Sequence, residues 1–426
     1  MNRYTRMVRN LDTTQVLERL AQLYGAGDDM PDRQAKRYAR LIGEHEALFA
    51  DDRDVLMVSA PGRTEIAGNH TDHNNGRVIA AAVNLDTLSA VSKRADHWVM
   101  ITSDGYPQIR IDLNDLAMHP DEAGTTASLV RGIAAKMTES GYRIGGFNAA
   151  VTSQVASGSG LSSSAAFEVM LCAIFDALYN GDSIDFIKRA QIAQYAENHY
   201  FGKPSGLMDQ MASAAGGLIL IDFKEDTPAV RPITYRMADK GYSLVVVNTG
   251  GSHANLVGAY ASMPSDMKAV AACYGKQTLR DVDAGQVMAD LGRLRGSFGE
   301  RSLMRAMHYF NENERVRMQA DALENGDLDT FLRLVIASGQ SSFMYLQNVF
   351  ASEAEQPLSL ALCMAEQMLA GKGAWRVHGG GFAGTTLNIM PNEVVYPFTD
   401  AMEGVFGRGA CQTLDIRPEG AAVMRL

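Results

Sequence analysis

The chain has few cysteines and no long apolar run. Its 426 residues include four cysteines, which lie far apart and match neither a CxxC nor a zinc-ligand spacing, so we expect free thiols in a reducing compartment. The first residues, MNRYTRMVRNLDTTQV, contain no apolar core of signal-peptide length. No run approaches the roughly 18–20 apolar residues that would span a bilayer. We therefore expect a cytoplasmic protein with no membrane partner.

Basic charge is also scarce. The 39 Lys and Arg residues face 49 Asp and Glu residues, which gives a net charge of −10. Nucleic-acid binding requires a basic face, so we expect no nucleic-acid partner. A Walker-type GxxxxGK[ST] loop is missing, because none of the Gly-Lys pairs is followed by Ser or Thr. A nucleotide-binding protein with this sequence is therefore not a P-loop protein.

Helical and β-rich stretches are mixed without a regular alternation. Residues 1–50 carry apolar side chains at helical spacing and predict a helical N-terminal extension. β-rich runs follow, and the acidic, proline-bearing stretch 224–232 separates two apolar strands, Gly216–Phe223 and Tyr242–Val247. Several helices come next, and a glycine-rich strand pair lies around residues 374–390. The pattern predicts an α+β fold rather than a doubly wound sheet.

The 40 glycines cluster in turns that suit ligands, first in Val155–Ala166. Gly158 and Gly160 allow positive φ and a close approach of a ligand to the backbone. Ser162–Ser164 then open an apolar helix, whose unpaired N–H groups and dipole favour an anion. The segment predicts a phosphate-binding loop. A serine N-cap after a flexible glycine turn is the alternative.

Polar side chains crowd the turn within Pro61–Gly76, between two apolar strands. They are Arg63, Asn69, His70, Asp72, His73 and Asn74. So many donors and acceptors suit a polyhydroxylated ligand, because each sugar hydroxyl needs a partner. A metal site built from His70, Asp72 and His73, or a plain solvated loop, are the alternatives.

A third glycine turn, Gly379–Gly384, formally matches GxGxxG. The dinucleotide-binding fingerprint requires a helix after this turn, but the β-branched stretch Thr385–Met390 predicts a strand. We therefore interpret the segment as a turn between two strands that lets the backbone approach a ligand or another loop.

Two carboxylates stand in apolar surroundings. Glu197 follows Phe186, Ala190 and Ala193 at helical spacing and shares their apolar face. A carboxylate there is costly unless it is paired or bound to a cation. Asp209 likewise lies among small and apolar residues. Each of these two carboxylates is therefore expected either to have a functional role or to make a buried structural hydrogen bond.

Taken in this order, the segments resemble the motifs of the GHMP kinase superfamily, and in detail those of galactokinases. Arg63–Gly76 is similar to the galactokinase signature, Gly158–Ala165 resembles the second motif of the superfamily, and Gly379–Gly384 resembles the third. Gly206-Leu-Met-Asp-Gln resembles the galactokinase sequence Gly-Ile-Met-Asp-Gln. The likeness runs from about residue 56 to residue 390.

The resemblance implies a two-domain fold with the active site between the domains. Residues 51–225 would form an N-terminal α/β domain and residues 226–426 a C-terminal ferredoxin-like α+β domain, with 1–50 as the helical extension. The implied activity is an ATP-dependent sugar 1-kinase with galactose as substrate, ATP and Mg²⁺ as cofactors, and a monomer or small homo-oligomer as the working state. The alternatives are a kinase for N-acetylgalactosamine, arabinose or a uronic acid, and a non-catalytic, galactokinase-like sugar sensor.

The resemblance also implies roles for individual residues. Asp209 would accept the proton of the anomeric hydroxyl with Arg63 beside it, and Glu197 and Ser164 would bind the metal. The implied sugar contacts are Asn69, His70, Asp72, Gly206 and Tyr260. The implied ATP contacts are Gly158, Ser159, Gly160, Leu161, Ser162, Ser163 and Ser164.

Three positions depart from the family pattern. Asn69 stands where galactokinases carry Glu, His73 where they usually carry Tyr, and Ala156 where the second motif usually has Pro. A neutral Asn contributes a weaker hydrogen bond to a sugar hydroxyl than a carboxylate does. We therefore expect galactose to be used with a raised KM, and Asn69→Glu to lower that KM.

Overall fold

The computed structural model describes residues 3–27, 29–50, 53–156, 158–251, 256–350, 352–382 and 384–426. The helices in these ranges are α1 (Arg3–Asn10), α2 (Thr14–Tyr24), α3 (Met30–Phe49), α4 (Thr126–Glu139), α5 (Ser163–Tyr179), α6 (Phe186–Tyr195), α7 (Met208–Ala215), α8 (Val257–Ala272), α9 (Ala284–Ala289), α10 (Leu291–Glu324), α11 (Leu328–Ser341), α12 (Pro357–Leu369) and α13 (Asn392–Phe406). Helix α10 is interrupted at Gly299, where φ is +74°. Two short π-helical turns, Ala196–Phe201 and Ser342–Leu346, follow α6 and α11.

The strands are β1 (Val55–Ala67), β2 (Arg77–Lys93), β3 (Trp98–Ser103), β4 (Ile109–Asp112), β5 (Phe147–Ser153), β6 (Leu218–Asp222), β7 (Ala229–Pro232), β8 (Tyr242–Asn248), β9 (Ala374–His378), β10 (Thr385–Pro391), β11 (Cys411–Leu414) and β12 (Ala422–Arg425). They form two sheets. The first has the order β12-β1-β2-β5-β3-β4, with β6 paired to β2 and β7 to β6. The second is antiparallel with the order β11-β8-β10-β9. Helices and two sheets in one chain confirm the predicted α+β class.

The first sheet is covered on both faces, because alternate side chains of a strand point to opposite sides. Val55 and Met57 of β1 pack against the N-terminal helices α1–α3. Their neighbours Leu56 and Val58 pack into a core shared with α4, α5, α6 and α7. The N-terminal extension is thus one layer of this unit, as its apolar helical spacing predicted.

The second sheet is likewise covered on both faces. Leu244 and Val246 of β8 pack against α10 and α11, whereas Val245 and Val247 pack against α12 and α13. The core on the α10 side also contains Ile66, at the end of β1, so it joins the two sheets. The chain returns to the first sheet at its end, where β12 pairs with β1. The boundary between residues 225 and 226 stays a prediction.

Two local differences from the predicted elements matter for the site. Helix α6 ends at Tyr195, and Glu197 lies in the π-helical turn that follows rather than on a continuous α-helix. Strand β1 shifts register against β2 on both sides of Arg63, between Pro61 and Arg63 and again between Glu65 and Ala67. These irregularities change the direction in which side chains of β1 point where the strand passes the glycine turns. Among the residues described here, no helix is both long and apolar enough to cross a membrane.

Candidate active site

Arg63 joins strand β1 to the predicted phosphate loop. Its backbone N–H donates to the Leu161 carbonyl at 2.9 Å, and its Nη1 donates to the Gly160 carbonyl at 2.5 Å. A Cβ atom on Gly62 would lie 2.9 Å from the Leu161 oxygen, so only glycine lets the strand and the loop approach this closely. The loop therefore rests directly on the strand that carries Arg63.

Arg63 also holds Asp209, in the first turn of α7. Its Nε donates to Asp209 Oδ1 at 2.6 Å and its Nη2 to Oδ2 at 2.7 Å. The Ser162 hydroxyl donates to Asp209 Oδ2 at 2.6 Å. Burial alone would raise the pKa of Asp209, but the Arg63 charge and these hydrogen bonds hold that pKa below its ordinary value. Asp209 is thus an ionised, 26% exposed carboxylate fixed by a bidentate arginine.

Glu197 is almost fully buried, with 2% of the residue exposed. Lys203 Nζ and Ser164 Oγ donate to its Oε1 at 2.7 and 3.1 Å, respectively. Ser205 Oγ and Gln210 Nε2 donate to its Oε2 at 2.5 and 2.8 Å. Glu197 is thus buried, and these four donors offset the cost of burying its carboxylate.

A second acid lies behind Glu197. Gln210 Nε2 also donates to Glu168 Oε2 at 3.0 Å, so one amide separates two buried carboxyl groups. Burial, and then the Glu197 charge, raise the pKa of Glu168 well above its ordinary value. This shift favours the protonated form of Glu168, whereas Glu197 is the member of the pair that contacts a cationic side chain, Lys203.

The predicted phosphate loop lies between the two sheets. Ser162 has a left-handed backbone with φ +60°, and α5 begins at Ser163. A Cβ atom on Gly160 would lie 2.4 Å from the Thr385 hydroxyl, so the loop touches the strand that follows the third glycine turn. The first N–H groups of α5 have no partner within the helix and favour an anion. Ser157 and Ala383, which belong to the two glycine turns, lie outside the described residues.

The predicted sugar turn is held against the third glycine turn. His70, with φ +58°, places its Nε2 within 3.0 Å of the Gly380 carbonyl. Burial and then the His73 charge lower the pKa of His70 to about 4, so the ring is neutral and Nε2–H donates. Tyr260 donates from its hydroxyl to the Gly381 carbonyl at 2.8 Å. A Cβ atom on Gly380 would lie 2.5 Å from the Tyr260 ring, so glycine permits this contact.

Asp72 approaches the Gly206 backbone. A Cβ atom on Gly206 would lie 2.1 Å from Asp72 Oδ2, which no side chain at position 206 could tolerate without a shift. Gly206 lies three residues before Asp209, so this contact places the Asp72 carboxylate next to the segment that carries Asp209. His70, Asp72, Gly206 and Tyr260 thus lie around the turn, and their role as sugar contacts stays a prediction.

Asn69 has a different environment from these residues. It is fully buried, and its Nδ2 donates to Glu65 Oε1 at 3.1 Å and to the Gly379 carbonyl at 2.7 Å. Its Oδ1 accepts from Asn348 Nδ2 at 2.8 Å and from Ser342 Oγ at 3.2 Å. These four hydrogen bonds connect the predicted sugar turn to the π-helical turn after α11 and to the third glycine turn. A contact between Asn69 and a sugar stays a prediction.

The residues present fit a hard divalent cation at Glu197 rather than at the histidines. Glu197 and Ser164 offer oxygen ligands, which Mg²⁺ prefers. The His70 and His73 rings stack at 6.0 Å, and His73 Nε2 lies 3.8 Å from Asp72 Oδ1. Within the described ranges, no group of three or more His, Cys, Asp or Glu side chains could hold a metal ion. A metal at Glu197 would therefore need ligands from a bound molecule or water.

Three further side chains near these residues were not identified from the sequence. Lys203 and Gln210 contact Glu197, and His378 accepts at Nε2 from the Glu65 backbone N–H at 3.1 Å. His378 also contacts the Thr385 hydroxyl through Nδ1 at 2.9 Å, so it ties β1 to the third glycine turn. Lys203 lies in a Gly-Lys pair six residues after Glu197, and Gln210 directly follows Asp209. Their proximity in sequence to Glu197 and Asp209 was the signal that could have identified Lys203 and Gln210 as neighbours of the site.

Known proteins share this arrangement of elements and segments. A family model described as "Galactokinase galactose-binding signature" matches residues 43–93, and one described as "GHMP kinases N terminal domain" matches residues 128–217. A crystal structure of Lactococcus lactis galactokinase complexed with galactose superimposes with a TM-score of 0.79 at 23% identity, covering 92% of this chain and all of that chain. A mevalonate kinase structure superimposes with a TM-score of 0.61 at 13% identity, over 85% of this chain and all of the other. The fold is therefore the two-domain α+β fold of GHMP kinases, as expected.

Curated relatives identify the family. A galactokinase from Streptomyces coelicolor is 32% identical over 387 residues, which cover 89% of this chain and 94% of the relative. A galactokinase from Actinobacillus pleuropneumoniae serotype 3 is 32% identical over 345 residues, 79% of this chain and 86% of the relative. The chain belongs to the galactokinase family, whose members are ATP-dependent kinases.

Proposed function

We propose that this chain transfers the γ-phosphoryl group of ATP to the anomeric oxygen of galactose and releases galactose 1-phosphate and ADP. In this reaction the anomeric oxygen bonds to the γ-phosphorus, the bond from that phosphorus to the β-phosphate bridging oxygen breaks, and the hydroxyl proton is released. The observation that carries the proposal is the cluster of Arg63, Asp209 and Ser162. It places an ionised acceptor directly beside a loop suited to phosphate.

Asp209 would receive the anomeric hydroxyl. Its pKa lies below the ordinary value, so the carboxylate is ionised at neutral pH and accepts a hydrogen bond from the sugar O–H. In phosphoryl transfer the protein contributes mainly positioning and charge stabilisation, and proton transfer adds to these. Arg63 would fix both carboxylate oxygens, so the acceptor cannot rotate away from the sugar.

The loop Gly158–Ser164 and the N-terminus of α5 would bind the ATP phosphates. The N–H groups at this helix end carry partial positive charge, and the loop that precedes them contacts Arg63 through the Gly160 carbonyl. Glu197 and Ser164 would hold Mg²⁺. When bound, the ion supplies positive charge that neutralises the phosphate oxygens during transfer.

His70, Asp72, Gly206 and Tyr260 would bind the sugar, together with Asn69. The Asp72 carboxylate lies beside Gly206 and the neutral His70 ring lies beside Gly380, so both present the polar groups that a polyhydroxylated ligand needs. The proposal also includes the division into domains at 51–225 and 226–426, a cytoplasmic location, and a monomer or small homo-oligomer that binds neither nucleic acid nor membrane.

A coupled assay of ADP release over a panel of sugars tests this proposal. The panel contains galactose, N-acetylgalactosamine, arabinose and galacturonic acid, each with MgATP, and ³¹P NMR identifies the phosphorylated position. We expect galactose-dependent ADP release and a 1-phosphate product. Phosphorylation at O6, or no turnover with any of the sugars, would contradict the proposal.

A further inference from the structure

Lys203 occupies the cation position at Glu197. It follows the π-helical turn Ala196–Phe201 and Gly202, whose φ of +86° reverses the chain. Its backbone N–H donates to the Glu197 carbonyl at 3.1 Å and its Nζ donates to Glu197 Oε1 at 2.7 Å. The ammonium group thus lies on the same carboxylate oxygen that Ser164 contacts. Glu197 and Ser164 are the two residues proposed above to hold Mg²⁺.

The two partners of this ion pair differ in freedom. Glu197 is buried and held by three neutral donors besides the lysine, whereas 56% of the Lys203 side chain is exposed. The lysine ammonium is carried on a flexible four-carbon stem, so it can swing outward without moving the backbone. The carboxylate cannot follow it. Lys203 is therefore the replaceable member of the pair.

A divalent cation and the Lys203 ammonium cannot both remain on Glu197 Oε1, because like charges at contact distance repel strongly in a partly buried site. Arrival of the metal with its nucleotide must displace the ammonium. The lysine also feels the charge of Asp209, so it lies within the acidic part of the site. The displaced ammonium needs a new anion, and the nucleotide brings one in its phosphate oxygens.

We propose that Lys203 exchanges partners during nucleotide binding: it neutralises Glu197 in the free enzyme and contacts a phosphate oxygen once the metal–nucleotide complex has taken its place. The inference rests on the proposed function for the identity of the nucleotide. In the free enzyme Lys203 pairs with the buried carboxylate and holds it in position. In the complex it adds a positive charge to the phosphate site, which otherwise consists of backbone N–H groups and serine hydroxyls.

The variant Lys203→Gln tests the exchange. Glutamine can still donate a hydrogen bond to Glu197, so the fold should persist, but it carries no charge. Affinity for the non-hydrolysable nucleotide AMP-PNP in the presence of Mg²⁺, measured by isothermal titration calorimetry, should fall about tenfold. Lys203→Arg should recover most of it. Lys36→Gln, on an exposed lysine of α3, is the matched control and should bind as wild type does.

A second readout follows the free enzyme and needs neither sugar nor turnover. Mg²⁺ alone should raise the Tm of Lys203→Gln more than that of wild type, because it no longer competes with the ammonium. An equal or smaller Mg²⁺ effect, or AMP-PNP affinity within about twofold of wild type, would overturn the exchange and leave Lys203 as a surface counter-ion. If galactose is not phosphorylated but these two shifts appear, the proposed sugar specificity fails and the exchange stands.

Discussion

Asp86 and Glu197 are both buried carboxylates of the first sheet and its helices, but their cationic partners differ. Asp86 in β2 contacts Arg37 at 2.6 Å and Arg417 at 3.4 Å, and it accepts from the Tyr24 hydroxyl at 2.5 Å. The two arginine side chains are 14% and 0% exposed, respectively. Glu197 has one lysine, which is mostly in solvent. Two arginines locked in place make a permanent charge cluster, whereas one exposed lysine leaves a site that another cation can enter.

The comparison also explains what the N-terminal extension does. Tyr24 of α2 and Arg37 of α3 reach the sheet at Asp86, and Arg417 reaches it from the other end of the chain. Burial would raise the pKa of Asp86, but Arg37 and Arg417 hold it below its ordinary value. The cluster therefore ties both ends of the chain to strand β2. Helices α1–α3 cover one face of the first sheet, and α5 and α7, which carry Ser164 and Asp209, cover the opposite face.

The largest expected effect comes from Asp209→Asn, which separates function from stability. Asparagine cannot accept the hydroxyl proton, so kcat in the ADP-release assay should fall by roughly 10²–10⁴. The fold and AMP-PNP binding should persist. Asp222→Asn is the matched control, because Asp222 is similarly exposed but pairs with Arg77 and Arg280. Activity of Asp209→Asn within a few-fold of wild type would show that Asp209 is not catalytic.

The next effect concerns the permanent cluster. Asp86→Asn leaves Arg417 and Arg37 without their carboxylate, and breaking a buried ion pair from one side costs roughly 3–5 kcal/mol. The free energy of unfolding, measured by urea titration, should drop by that amount, while kcat per folded molecule stays near wild type. Glu44→Gln, in the exposed pair with Arg40, should cost at most about 1 kcal/mol. A drop in Asp86→Asn no larger than in this control would mean that the extension is held by apolar packing alone.

How much of the fold and of the site can be predicted from the sequence depends on how far apart the contacting residues lie along the chain. The glycine turns and the crowded polar segment 61–76 can be recognised in the sequence because their residues are adjacent. The pairing of Arg63 with Asp209 spans 146 residues, so it came from family resemblance and not from spacing. In the Asp86 cluster, Arg417 reaches Asp86 across 331 positions of the chain, and no local pattern marks this contact. The turn at Ala196–Phe201 was also missed, because helical periodicity does not distinguish a π turn from an α-helix.

The smallest expected effect is at Asn69, where sequence and structure point to different results. The family pattern suggested that Asn69→Glu would lower the KM for galactose. In the structure the Asn69 amide donates to Glu65 and to the Gly379 carbonyl, and Glu65 also pairs with the buried Arg376. A carboxylate at position 69 would face both acceptors and donate to neither. We therefore expect Asn69→Glu to lose about 1–3 kcal/mol of stability in a urea titration.

The double variant Asn69→Glu with Glu65→Gln sharpens this test. It restores one carboxylate and one amide in the pair but exchanges their positions, so the new amide at position 65 can donate to the new carboxylate at position 69. We expect the double variant to regain part of the stability that Asn69→Glu loses, because two facing carboxylates are replaced by a hydrogen-bonded pair. If Asn69→Glu alone is as stable as wild type and lowers the galactose KM, its side chain reaches the sugar and the family role of this position is retained. If both variants are destabilised equally, exchanging the pair gains nothing, because neither variant can donate to the Gly379 carbonyl and the double variant also removes the Glu65 carboxylate from the buried Arg376.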